Sequence, residues 1–149
     1  VIVDPVKTKI LKRVLEVIEA VPMVKMAKRN PPSLPKHDTA IFPAVWVYDD
    51  TESKRRKNRY SMNIFTVQTE TYFLSNEEDA SDQADLIDAE IYKALLADLE
   101  IRSLVIDSIE AEEENSTSKQ FVDEFMGVVI SRFVVKYAHA WGDPFDQAK

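Results

Sequence analysis

Two long runs constrain this chain more than any other feature. RYSMNIFTVQTETYFL, residues 59–74, and FVDEFMGVVISRFVVKYA, residues 121–138, are rich in β-branched and aromatic side chains. In the first, Tyr60, Met62 and Ile64 share one face, while Phe65, Val67 and Phe73 share the other. A strand wet on one side alternates apolar and polar residues. Strands apolar on both parities need cover on both faces for part of their length. That cover comes from the chain's own helices or from another subunit. Gly127 is expected to mark a bulge where the second run bends.

Two helices are available as cover. Val6, Ile10, Val14, Val17 and Val21 recur at spacings of three and four, with Asp4 expected to cap, Pro5 to start and Pro22 to stop the helix. Ala80, Ala84, Ile87, Ile91 and Leu95 form a second stripe. Ser75 and Glu78 give that helix a capping-box pattern, Glu77, Glu78 and Asp79 suit its dipole, and it is expected to end near Leu99. Shorter strands are expected over IFPAVWVY (41–48), over 104–109 and, more weakly, over 23–28. Pro43 belongs near a strand start or on an edge. PPSLPKHD (31–38) reads as a loop, residues 49–58 and 110–120 as connections, and HAWGDPFDQAK (139–149) as an irregular tail. The order α-β(β)β-α-ββ predicts one α+β domain over residues 1–149, a mainly antiparallel mixed sheet with two helices packed on one face.

Composition narrows the chemistry. The chain has 149 residues, of which 45% are hydrophobic and 30% charged, which is enough to build a core. With Cys 0, disulfides, thiolate zinc sites and thiol catalysis are excluded. With Gly 2, a glycine-rich phosphate loop is hard to place. Apolar runs are too short to span a membrane. His37 and His139 stand apart from any metal-ligand spacing. The acidic stretch 77–85 lacks the turn glycine and alternating ligands of a calcium loop. No catalytic, cofactor or metal residue is nominated, and the chain is not expected to be an enzyme.

ESKRRKNRY, residues 52–60, is out of character in a chain of net charge −7. Lys54, Arg55, Arg56, Lys57 and Arg59 are candidate interface residues. A solvated connection is the plainer reading. Their acidic counterparts are Glu110, Glu112, Glu113 and Glu114 in the other connection and the carboxylates at 77–85. Trp141 and Phe145 in the tail are candidate anchors, for a neighbour or for their own subunit.

The order of these features resembles the tail terminator, or tail completion, proteins of long-tailed bacteriophages of the lambda type. The resemblance runs over nearly the whole chain: the first helix, FPAVWVY (42–48), MNIFTV (62–67), the acidic helix with Ile91 and Tyr92, LEIRSLVIDSI (99–109) and VVKY (134–137). It implies a virion structural protein at the head-proximal end of the tail, assembled in the host cytoplasm. Such proteins form a homo-oligomeric ring, commonly of six subunits, that caps the tail-tube protein, ends its polymerisation and meets the neck or connector. DNA passes through the bore without specific binding, and neither cofactor nor membrane is implied. The residues 139–149 depart from the shortest members. Another head–tail joining or neck protein is an alternative, and a small nucleic-acid-binding module is a further one.

Overall fold

The computed structural model describes residues 3–35, 41–50, 52–75, 78–106, 109 and 117–147. Its elements are α1 (Val6–Glu19), β1 (Met26–Arg29), β2 (Ala44–Asp49), β3 (Ser53–Lys57), β4 (Tyr60–Leu74), α2 (Ala80–Ala97), α3 (Leu99–Leu104), β5 (Ser118–Phe121), β6 (Met126–Ala140) and β7 (Asp143–Gln147). The seven strands make one mixed sheet in the order β1-β2-β4-β6-β5, with β3 added to β4 and β7 to β6. Among the described residues β1 and β2 run parallel and the other pairs are antiparallel. This is the α+β architecture expected, with three helices among the described residues rather than two.

The two long runs are the spine. β4 and β6 pair without interruption from Tyr60↔Ala140 to Leu74↔Met126. Odd-numbered positions of both strands face the helices. Phe65 and Val67 of β4 join Phe133, Val135 and Tyr137 of β6 beneath Val6, Ile10, Val14 and Ile18 of α1, Ile87, Ile91 and Leu95 of α2, and Ile101 of α3. Each such side chain contributes about 1.5–3 kcal/mol on burial, which is why the 3.6-residue stripes and the strand parity lock together. The even-numbered face is different. Near β2 it packs Ala44, Trp46, Tyr72, Leu74, Met126 and Val128 together. Trp46 and Tyr48 there hydrogen-bond the Ser33 and Pro31 carbonyls of the loop.

Both glycines have structural reasons. Gly127 does not bulge. It pairs with Phe73, and a Cβ there would lie 2.3 Å from the Phe73 Cζ, so the missing side chain is the room the ring occupies. The irregularity instead falls between His139 and Ala140. Gly142, at φ 80, turns β6 into β7 through a backbone region that other residues rarely adopt.

Several local expectations are corrected. Pro5, not Asp4, precedes α1, and Asp4 takes Lys12 Nζ at 2.8 Å instead. Ser75 does not cap α2: its N–H and Oγ go to the Phe125 and Glu124 carbonyls, and Asp79 enters α2 at φ 62. Glu78 thus precedes the helix, and Glu77 lies outside the described residues. The strand expected over 104–109 is not formed among the described residues. Leu99–Leu104 is α3, because the Asp98 carboxylate accepts the Ile101 N–H at 3.0 Å and caps a turn of helix. Residues 53–57 and 118–121 are strands rather than connections. The tail is not irregular, since Asp143–Gln147 pairs with β6 and Gln147 Nε2 donates to the Ser103 carbonyl at 2.6 Å.

Candidate functional site

The basic run forms β3, an edge strand whose five residues are all exposed. Its side chains are poor strand formers, yet pairing along β4 from Ser53↔Ile64 to Lys57↔Tyr60 supplies the backbone bonds that fix it. Asn58, at φ 53, makes the turn into β4, a conformation asparagine tolerates. Cations on an edge strand discourage another strand from adding there, so part of the run's role is protection of the edge.

The fold then joins this run to the other candidate residues. The Trp141 N–H donates to the Arg59 carbonyl at 2.9 Å, tying the β6–β7 turn to the β3–β4 turn. The Arg56 guanidinium lies 4.3 Å from the centre of the Trp141 ring. Trp141 is 57% exposed and Phe145, on β7, 47% exposed. Lys54 lies 3.6 Å from Glu52, which also accepts the Tyr137 hydroxyl at 2.8 Å. That bond and burial push the Tyr137 phenol up, burial being the larger cause. Lys54, Arg55, Arg56, Lys57, Arg59, Trp141 and Phe145 therefore belong to one end of the sheet, a cationic tip carrying aromatic rings. Glu110, Glu112, Glu113 and Glu114 lie outside the described residues, as does His37.

The far end of the same ribbon carries residues that sequence reasoning passed over. Phe121 is 80% exposed and Phe125 46%, flanking the β5–β6 turn. The run 121–138 reads as one strand in the sequence, but β5 ends at Phe121 and β6 starts at Met126. Their signal was the pair Asp123 and Glu124 between them, which breaks the apolar run. Lys119 of β5 reaches Asp85 of α2 at 2.6 Å.

Between the tips, the even-numbered face near β3 carries Ile64, which is exposed, half-buried Met62, and the buried Val134 and Ala138. Among the described residues, helices contribute to the clusters on the other face only.

Titratable groups inside the molecule serve the fold. Asp98 is held below the usual carboxylate range, first by Arg13, whose Nη2 and Nε reach its oxygens at 2.7 and 3.0 Å, although burial opposes this. Asp88 is pushed up by burial, against the Ser131 hydroxyl that donates to it at 2.8 Å. Tyr72 is pushed up by burial and by its bond to Glu70. His139 is buried in β6, with Nδ1 2.7 Å from the Ala140 carbonyl. Among the described residues, no three His, Asp or Glu side chains are grouped to hold a metal ion. No described helix is long and apolar enough to cross a membrane. The arrangement offers charge and exposed rings at a surface, which is the chemistry of docking.

Neither protein-family models nor curated proteins give a match to this chain.

Proposed function

We propose that this chain is a structural phage protein of the tail-terminator kind. Copies of it form a ring, of about six subunits as the resemblance implies, that caps the tail tube, ends tube polymerisation and offers a docking surface to the neck or connector. The observation that carries the reading is the open sheet face beside β3. Ile64 is 36% exposed and Met62 half-buried there, beside the buried Val134 and Ala138, with Lys136 opposite Ile64 and no described helix over them. Exposed apolar side chains on the long β4–β6 ribbon offer a surface another subunit can cover.

The resemblance supports the reading from the sequence side. FPAVWVY supplies β2, whose first four residues are buried. Ile91 lies in the core, and Tyr92 packs its ring 6.2 Å from that of Phe133. The reading gives the protein no catalytic role, no cofactor and a place in the virion.

The test is to polymerise the tail-tube protein of the same phage with and without this chain. The reading expects tubes of arrested length with a ring at one end by electron microscopy. Tubes that grow on unchanged and bear no added density would overturn it.

A second reading has its own observation. The Arg56–Trp141 stack, with Lys57 and Arg59 nearby, interleaves an exposed ring with cations, as single-strand nucleic-acid surfaces do. It predicts that the isolated protein shifts a labelled oligonucleotide and that Trp141→Ala abolishes the shift.

A further inference from the structure

The cationic tip has a counterpart on the same molecule. At the end of the sheet where the β5–β6 turn and the start of α2 lie, the chain carries Glu78, Asp79, Asp82, Asp85 and Glu124 together with the exposed rings of Phe121 and Phe125, while Asp123 accepts the Phe125 and Met126 N–H groups within the turn. Ser75, at the end of β4, holds this turn through the Phe125 and Glu124 carbonyls. The nearby lysines are Lys119, which Asp85 engages at 2.6 Å, and Lys25. The opposite tip stays cationic even with Asp143 and Asp146 of β7 counted. Arg55, Lys57 and Arg59 have no ion pair among the described residues.

The two tips cannot serve each other within one subunit. They stand at opposite ends of the paired ribbon that runs from Tyr60↔Ala140 to Leu74↔Met126. At about 3.3 Å per residue the ribbon is roughly 45 Å long, and even its innermost opposed charges, Lys54 and Asp85, stand about eight residues or ~26 Å apart along it. The Debye length at physiological salt is about 8 Å, so neither tip feels the other. One molecule thus holds two complementary surfaces, each with exposed aromatic rings, facing away from one another.

We propose that the Lys54–Arg59 and Trp141 tip of one copy docks on the Asp79–Asp85 and Phe121–Glu124 tip of a second copy, head to tail. Such a contact uses different surfaces on the two partners. It closes into a ring when the rotation between neighbours allows, and otherwise runs on as a filament. Charge sets the direction and speed of approach, and the rings supply apolar contact once water is expelled. The inference rests on the ring reading and adds which ends of the subunit meet.

Charge reversal and its rescue test it. One variant carries Lys54→Glu, Arg55→Glu and Lys57→Glu, leaving the Arg56–Trp141 stack in place. A second carries Asp79→Lys, Asp82→Lys and Glu124→Lys. A third combines all six changes. Each is checked for folding by circular dichroism and followed by sedimentation velocity. At about 0.05 M salt, each single-tip variant should associate at least ~100-fold more weakly than wild type, with a smaller difference at high salt. A mixture of the two variants, and the sixfold variant alone, should assemble again, because each restores opposite charges at every contact.

If wild type assembles and both single-tip variants assemble equally well, the head-to-tail contact is wrong and the ring reading stands. A wild type that stays monomeric at all concentrations overturns the ring reading itself. A basic-tip variant that assembles normally but loses affinity for a labelled oligonucleotide also overturns the proposal, and assigns the tip to nucleic acid.

Discussion

Gly127→Ala should disturb this protein far more than a surface glycine change would. The methyl group would stand 2.3, 2.7 and 2.9 Å from three atoms of the Phe73 ring, all inside any tolerated contact. Phe73 is 3% exposed and clustered with Ala80, Ala84 and Val129 under α2, so the ring can move only towards the pocket it lines with Phe42, Leu74 and Gln83. If ring and backbone share the displacement, overpacking costs about 1–3 kcal/mol. If the ring is expelled, the loss approaches the ~3–5 kcal/mol of a deleted core phenylalanine. The expected destabilisation is therefore about 2–4 kcal/mol, or roughly 5–15 °C in Tm for a domain of this size. Urea denaturation followed by tryptophan fluorescence, at fixed protein concentration, measures it. Phe73→Leu in the Gly127→Ala background should recover part of the loss, because the clash belongs to the pair. A Gly127→Ala protein within about 0.5 kcal/mol of wild type, or costs that simply add, would refute the close approach of glycine and ring.

Other outcomes follow from single contacts. Asp98→Ala removes both the Arg13 contact and the α3 cap and should lower stability in denaturant melts, the lost cap alone costing about 1 kcal/mol. Because the folded Asp98 carboxylate sits below its unfolded value, its contribution is present at neutral pH and is lost as pH falls through the folded value. The variant should thus show a flatter acid limb of stability against pH. Asp88 has the opposite sign: burial raises its folded value, so its stability contribution declines as pH rises through that range. Asp88→Asn, which keeps an acceptor for Ser131, should raise Tm at neutral pH, and a lowered Tm there would contradict the burial account. Truncation after Ala140 removes β7, the Trp141 stack and the Gln147 bond, so Tm should fall. An unchanged melt would mean that the last strand is not docked.

The helix bodies and the long strands were legible because they depend on periodicity, which the sequence displays directly. Ile10, Val14 and Ile18, or Ile87, Ile91 and Leu95, can be buried together in one way only. Element ends were harder, because competing partners decide them. Ser75 carries a capping pattern, but the Glu124 carbonyl claims its hydroxyl. Residues 99–104 can begin a strand or a helix, and the Asp98 side chain decides for helix. β3 was hidden because SKRRK has low strand propensity; its partner β4 imposes the conformation. The cationic residues and the tail aromatics were each visible, but not their meeting. Arg56 and Trp141 are brought together by the register of β4 on β6, which no local pattern encodes. Parity also sorts what sequence left mixed. Val67 and Val129 lie under the helices, so charges there test the core, whereas Met62 and Ile64 lie on the open face.

The central claim is that this ribbon works by joining copies of itself. Sedimentation velocity of the wild-type protein over a wide concentration range, with Ile64→Asp as comparison, tests it most directly. Ile64 is 36% exposed on the open face, so a charge there leaves the helix-covered core alone. The account predicts a discrete closed assembly for wild type and a shift towards monomer for Ile64→Asp, with both proteins melting at similar temperatures in the monomeric state. A wild-type protein that sediments as a monomer at every concentration, or an Ile64→Asp assembly indistinguishable from wild type, would contradict it.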